Sequence, residues 1–345
     1  MKMRRLNIYL PALLIMALSA VSCESVIKFK GEGVDPQIVI YSLLQPDSLI
    51  KVSVAVSHAV YEERYEPEQI TDAVVRLFRD GELVETLTYV PPEPQPDYYT
   101  QNPYSGYTSL ATVPEYGSTY RIEVEVPGLK TASGEARLPE LVPVTGIDTS
   151  SVIREWGERQ QVVKIKFRDP AGTDNYYRFT ARGIAGTYYG DKQEPWSPLI
   201  PVMVVETDLS YGILGEPLIT PRQEEDLFGM DLQNTYKIFI DELISGKEYA
   251  LTMQFNLLLP DTDYYEFAHA SFSLHSITRD LYLFLQSNSA HMQTRENFLA
   301  EPVLVYTNIT NGLGVMGAMS TSAITFKIGE YPVEGVHYES YAYYK

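Results

Sequence analysis

From Gln37 onward the chain alternates apolar and polar residues in short runs broken by turn-forming pairs, a pattern that commits it to antiparallel β structure. Ile50, Val52, Val54 and Val56 alternate with Lys51, Ser53, Ala55 and Ser57, so one face of that strand is to be buried and the other wet. Ile38 to Leu44 reads as an apolar strand stopped by Gln45-Pro46-Asp47-Ser48. Ala73 to Arg79 and Leu83 to Tyr89 flank Asp80-Gly81, a pair that tolerates positive φ at both positions and predicts a tight hairpin. Tyr120 to Val126 alternates up to Pro127-Gly128, and Lys130 to Leu138 closes the series. This spacing, with no helical period between strands, predicts an immunoglobulin-like antiparallel sandwich over residues 36–143.

Residues 144–345 read as a second antiparallel β domain that carries one packed helix. Gln161 to Phe167 is a strand, the turn Arg168-Asp169-Pro170-Ala171-Gly172 follows, and Tyr176 to Arg182 is expected to be its hairpin partner. Pro201 to Glu206, Tyr236 to Ile240, Glu248 to Leu258, Pro302 to Tyr306 and Ala323 to Ile328 are further expected strands, with a turn at Asn311-Gly312-Leu313-Gly314. Leu274, Ile277, Leu281 and Leu285 recur at three- and four-residue intervals and predict a helix near 274–292. No period of about 20 to 50 residues repeats, which excludes solenoids and propellers.

Cys23 is the single cysteine among 345 residues, so no internal disulfide can form and the core must hold by packing. Its position explains its presence. Lys2, Arg4 and Arg5 precede an apolar run from Ile8 to Leu18, then Ser19, Ala20, Val21 and Ser22 lead to Cys23. That is a secretory signal (residues 1–22) ending in a lipobox, with Ala20 where leucine is more usual; the expected product carries a diacylglycerol on the Cys23 sulfur. The run is too short to cross a bilayer core of about 30 Å as a permanent anchor. Residues 23–35 read as a tether.

The chain carries a net charge of −18, and removal of the three leader cations takes this to −21. Such a chain repels nucleic acid and anionic lipid, which sets nucleic-acid binding aside. Tyrosine is over-represented, 27 against 12 phenylalanines, and two segments concentrate it outside the expected strands. Pro91 to Tyr107 holds Tyr98, Tyr99, Tyr104 and Tyr107, and Gly186 to Pro198 holds Tyr188, Tyr189 and Trp196. Exposed aromatics give large contact area at low entropy cost, so these seven residues are the candidate surface for a ligand or partner. The alternative is that they fold back to cover a sheet edge.

Nothing in the chain spells out catalysis. His58, His269, His275, His291 and His337 are scattered, no HExxH occurs, and no cysteine is left to share a zinc site. A Gly-x-Ser-x-Gly elbow and a phosphate-cradling loop are both missing. Asp169 with Asp174, Glu224-Glu225-Asp226 with Asp231, and Asp261 with Asp263 are acid groupings, but none has calcium-loop spacing and turn chemistry accounts for them. No catalytic residue, metal or dissociable cofactor is therefore expected.

In order along the chain come the lipobox cysteine, Pro46-Asp47-Ser48, Asp72-Ala73-Val74-Val75 with Asp80-Gly81, and Tyr116-Gly117-Ser118-Thr119-Tyr120. Asp174-Asn175-Tyr176-Tyr177, Glu301-Pro302-Val303 and Asn308 to Gly314 follow. Taken together these resemble a family of Bacteroidota lipoproteins catalogued as domain of unknown function 4249. The resemblance implies an outer-membrane lipoprotein, often encoded beside TonB-dependent transporters, and has no catalytic residues to carry over. An acidic run after the lipidated cysteine marks surface export in that phylum, and here only Glu24 fits. The expected function is a non-enzymatic binding or accessory component, associated with a TonB-dependent barrel. The alternatives are a free-standing surface glycan- or ligand-binding protein or adhesin, and an envelope hydrolase working through carboxylates that the sequence does not single out.

Overall fold

The computed structural model describes residues 35–58, 70–92, 106–153, 159–189, 200–208, 216–219, 234–255, 267–294 and 303–328. The protein is mostly β, with several antiparallel sheets and, among the described residues, one helix. The strands are β1 (Ile38–Leu44), β2 (Lys51–Val56), β3 (Val74–Arg79), β4 (Glu82–Thr86), β5 (Thr88–Val90), β6 (Gly106–Thr108), β7 (Thr119–Glu125) and β8 (Ala132–Arg137). They continue as β9 (Val144–Ile153), β10 (Arg159–Arg168), β11 (Tyr176–Tyr189), β12 (Ile200–Asp208), β13 (Ile238–Ile240), β14 (Glu248–Phe255), β15 (Phe267–Ile277) and β16 (Gly312–Ile328), with helix α1 (Arg279–Thr294) before the last.

A nine-stranded sheet runs in the order β12-β11-β15-β16-β1-β2-β6-β5, with β13 also on β11. Its spine is β16, whose first part pairs parallel to β1 (Ile38 with Gly312 through Leu44 with Ala318). The rest of β16 pairs antiparallel to β15 (Ile277 with Met319 through Ala268 with Ile328). Strands from both sides of residue 143 thus share one sheet. Side chains alternate across a strand, so the two faces of β16 can be read directly. Met316 and Ala318 join a cluster with Ile40 and Val54 of the sheet and Leu77, Ile122 and Val124 of the four-stranded sheet β4-β3-β7-β8. Ile324, on the same face, packs against a second cluster formed by Phe179 and Phe272 with Ile165, Leu251 and Met253 of the three-stranded sheet β14-β10-β9.

Between the clusters the same face of β16 turns to serine. Ser320 Oγ donates to the Pro139 carbonyl at 2.5 Å, and Ser322 Oγ accepts the Val144 N–H at 2.9 Å. The β8–β9 connection is therefore stapled to the spine. On the opposite face Gly317 meets Leu281, and Met319 joins Ile277, Leu281 and Leu285 in a third cluster under α1.

Asp80 (φ 50°) and Gly81 (φ 90°) form the β3–β4 turn in the conformation the pair predicts. Four other expectations are corrected. Tyr176 to Arg182 is not the hairpin partner of Gln161 to Phe167: β10 pairs with β9 and β14, while β11 pairs with β15, β12 and β13. The helix begins at Arg279, because Ser271 to Ile277 belongs to β15, with Leu274 in the second cluster and Ile277 in the third. Thr278 separates them and caps the helix, its Oγ1 accepting the Leu281 N–H at 3.4 Å. No strand forms over residues 303–306, and Gly312 to Gly314 open β16 instead of turning. At Gly314 (φ 100°) a Cβ would lie 2.1 Å from the Ile40 carbonyl oxygen, so that glycine serves close approach to β1.

Candidate functional site

The aromatic candidates separate on inspection. Tyr107 is 2% exposed in β6, not on a loop. Its hydroxyl donates to the Ile70 carbonyl at 3.1 Å and accepts the Ala73 N–H at 2.8 Å, while its ring meets Tyr89 edge-on. It fastens residues 70–73 and offers nothing to a partner, which removes it from the candidate surface. Tyr188 and Tyr189 are in β11, paired with Pro201 and Ile200, so the expected loop begins later than Gly186. Tyr98, Tyr99, Tyr104, Trp196 and Cys23 lie outside the described residues.

The points where the two aromatic segments leave the sheet are fixed by topology. β5 ends at Val90 and β6 begins at Gly106 on the side of the sheet on which β1 starts. β11 ends at Tyr189 and β12 begins at Ile200 on the side of the sheet on which β16 ends. β5 and β12 are the two edge strands of the sheet. The strand ends that flank the two aromatic segments are thus at diagonally opposite corners of the sheet.

The buried carboxylates were not among the sequence candidates, except Asp169, which was read as a turn residue. Asp169 is 1% exposed and accepts from the Tyr177 hydroxyl at 2.6 Å and the Gly246 N–H at 3.0 Å. Glu216, also 1% exposed, accepts from the Tyr249 hydroxyl at 2.6 Å, the Thr252 N–H at 2.6 Å and the Leu218 N–H at 3.2 Å. Asp241 accepts from Asn175 Nδ2 at 3.2 Å. Burial first, then the bonded carboxylate, pushes the Tyr177 and Tyr249 hydroxyls far above the usual phenol range. Each acid is enclosed by donors of its own core, as a clamp is; only the pairing of a hydrophobic strand with an acid at its turn could have hinted at this. Of the other acid groupings, residues 224–226, Asp231, Asp261 and Asp263 lie outside the described residues. Among the described residues no group of three His, Cys, Asp or Glu is placed to hold a metal ion, and no helix is long and apolar enough to cross a membrane.

Polar chemistry collects instead on the face of β11 and β15 that carries α1, in the rows beyond Ile277 and Met319. Arg178, His275 and Thr321 are opposite one another across β11, β15 and β16; Thr180, Ser273 and Ala323 form the next row, and Arg182, Ser271 and Thr325 the next. His275 is buried, with Nε2 bonded to Thr180 Oγ1 at 2.9 Å and Nδ1 to Thr321 Oγ1 at 2.8 Å. Burial, and then the charges of Arg178 and Arg182, lower its pKa to about 4, so it is neutral at physiological pH. The Arg178 guanidinium is 5.8 Å from the Tyr236 ring centre, and the Tyr236 hydroxyl accepts Asn288 Nδ2 of α1 at 2.7 Å. No sequence signal marks this cluster, since its members come from three strands far apart in the chain. His291 bonds the Val303 carbonyl at 2.8 Å and is a fastening of α1.

The fold defines a mostly β protein built on one large sheet, with a polar cluster around the buried His275 on one face of β11 and β15. The chain matches the family described as "Domain of unknown function (DUF4249)" over residues 24–325 and belongs to it. No curated protein and no solved structure matches the chain.

Proposed function

We propose that this chain is a Bacteroidota outer-membrane lipoprotein, anchored by a diacylglycerol on Cys23, that acts as a non-enzymatic binding or accessory component beside a TonB-dependent transporter. The observation that carries this reading is where the strands flanking the first tyrosine-rich segment end. Val90 of β5 and Gly106 of β6 lie on the side of the sheet on which β1 starts. Residues 24–37 separate Cys23 from β1, a stretch that reaches at most about 50 Å when fully extended. We infer that Tyr98, Tyr99 and Tyr104, in the segment between β5 and β6, are the residues that a barrel in the same membrane would contact. The enclosure of Asp169 and Glu216 by structural donors supports a binding role over an acid–base one.

A mild-detergent pull-down of tagged, lipidated protein from its own envelope, read by mass spectrometry, tests this. A stoichiometric outer-membrane barrel is expected, and Cys23→Ser is expected to move the protein to the soluble fraction and lose the barrel. Recovery of the wild type alone overturns the accessory reading. The second reading, a free-standing glycan- or ligand-binding protein, draws on Trp196, whose segment departs from the opposite corner. Glycan-array binding lost in Trp196→Ala would establish it.

A further inference from the structure

We propose that β1 is a mechanical clamp: tension that enters the chain ahead of β1 and is resisted on the side where β16 ends is taken in shear by the β1–β16 and β1–β2 ladders. The clamp is a property of the sheet. That a lipid anchor is the source of the tension rests on the function proposed above.

The geometry follows from topology. β1 and β16 are the first and last strands among the described residues, and they are neighbours that run parallel. Residues 24–37 join Cys23 to the start of β1. A pull on them draws β1 along its own axis, toward the side on which both strands begin. A pull at the far end of β16 draws that strand the opposite way. Ladder hydrogen bonds run across the strands, so opposed pulls along the strands do not open them one at a time from an end. The seven β1–β16 pairs from Ile38–Gly312 to Leu44–Ala318 are strained together. So are the five pairs from Ile38–Val56 to Ser42–Val52 on the other edge of β1.

Side chains resist sliding as well. Ile38, Ile40 and Leu44 are at most 1% exposed in the first core cluster, and a slip of one residue would turn all three to the opposite face. Ser42 Oγ, on the same face, donates to the Lys51 carbonyl at 2.9 Å. On the other face the Tyr41 ring meets Phe284 of α1 edge-on, with centres 5.9 Å apart. Beyond β1 the tension stays within strands. β16 runs unbroken for 17 residues, about 55 Å, and its second part is held to β15 by ten pairs. The path therefore bypasses the four-stranded and three-stranded sheets.

Single-molecule force spectroscopy of the full mature chain, unlipidated and with one handle on the Cys23 thiol, tests the clamp. In the first geometry the second handle follows Lys345. In the second it is on Thr310→Cys, an exposed position two residues before β16, so both handles pull from the same end of the ladder and open it pair by pair. At one constant tension the first geometry is expected to hold about tenfold longer or more, the factor that goes with breaking one or two further hydrogen bonds at once. Tyr41→Ala, at a position 48% exposed, removes the ring contact on the outer face of β1. It is expected to shorten the first-geometry lifetime about fivefold, the worth of one aromatic pair. Equal lifetimes in the two geometries, or a first-geometry lifetime unchanged in Tyr41→Ala, overturns the clamp. Failure of Cys23→Ser to release the protein from the envelope would remove the anchor and leave the clamp standing.

Discussion

The Tyr177 hydroxyl donates to Asp169 Oδ1 at 2.6 Å inside the second core cluster, tying the first residues of β11 to the end of β10. These strands are consecutive in sequence yet lie in different sheets, so no ladder hydrogen bond joins them. The side-chain bond takes that role. The other Asp169 oxygen holds the Gly246 N–H, which brings the turn before β14 to the same point.

Tyr177→Phe is expected to destabilise the protein by about 1–3 kcal/mol, because it strips a nearly inaccessible carboxylate of one of two donors. Tyr249→Phe is expected to cost less, about 0.5–1.5 kcal/mol, since Glu216 keeps the Thr252 and Leu218 N–H groups. Urea unfolding of both variants checks the order. A larger loss in Tyr249→Phe would show that the carboxylates are not acting through their donor counts.

His275 makes stability depend on acid. Its folded pKa, about 4, lies below the ordinary 6.5, so the unfolded chain binds the proton more tightly. The contribution is complete above pH about 6.5 and is lost as pH falls toward 4, on the order of 3 kcal/mol in all. His275→Gln, which keeps a donor and an acceptor for Thr180 and Thr321, is expected to flatten that limb of the stability curve. Some slope persists, because burial lowers His269 as well. Denaturant midpoints at pH 7 and pH 4.5 check this, and an unchanged difference between them would exclude His275 as the source.

Two glycines with positive φ are expected to differ sharply on replacement. At Gly81 a Cβ meets nothing within 4 Å, so Gly81→Ala carries only the left-handed backbone strain, about 1–2 kcal/mol. At Gly314 the Cβ would also strike the Ile40 carbonyl, and the cost rises to about 2–5 kcal/mol with loosening of the β1–β16 pairing. Thermal unfolding with hydrogen exchange at Ile40 and Val315 measures both. Equal costs would mean that β1 can move away from β16 freely.

What the sequence reveals here follows range. Local signals were legible: Asp80-Gly81 at its turn, the alternation of β2, β3 and β7, and the β-rich character of the whole chain. The pairings were not, because nothing near Gly312 announces a partner at Ile38, and the parallel contact depends on glycines that read equally well as a turn. The early helix boundary has a similar cause. Leu274 and Ile277 fit a helical period, but Ser271, Ser273 and His275 alternate with Phe272 and Leu274, and burial on both sheet faces decided for the strand. The prolines before Tyr107 read as a loop, while the hydrogen bonds that hold it in β6 reach back to Ile70 and Ala73. The polar cluster around His275 is invisible for the same reason: Arg178, His275 and Thr321 become neighbours only through β11–β15–β16 register.

The two aromatic segments are expected to act independently. Their attachment points are at opposite edges of the sheet, separated by the steps from β5 to β12, and at about 4.8 Å per step this is roughly 30 Å along it. They also depart in opposite strand directions. Residues that share no partner contribute additively, within about 0.5 kcal/mol, and separate strand attachments favour separate partners. Replacing Tyr98, Tyr99 and Tyr104 by alanine is therefore expected to weaken capture of a membrane-embedded partner. Replacing Trp196 by alanine is expected to leave that capture unchanged and to act only on a ligand met from the other side. The combined variant is expected to show each loss at its single-variant size. Equilibrium binding of the captured partner by all three variants, in detergent, measures the coupling. Loss of partner capture in Trp196→Ala, or a combined loss well beyond the sum, would mean that one partner spans both corners.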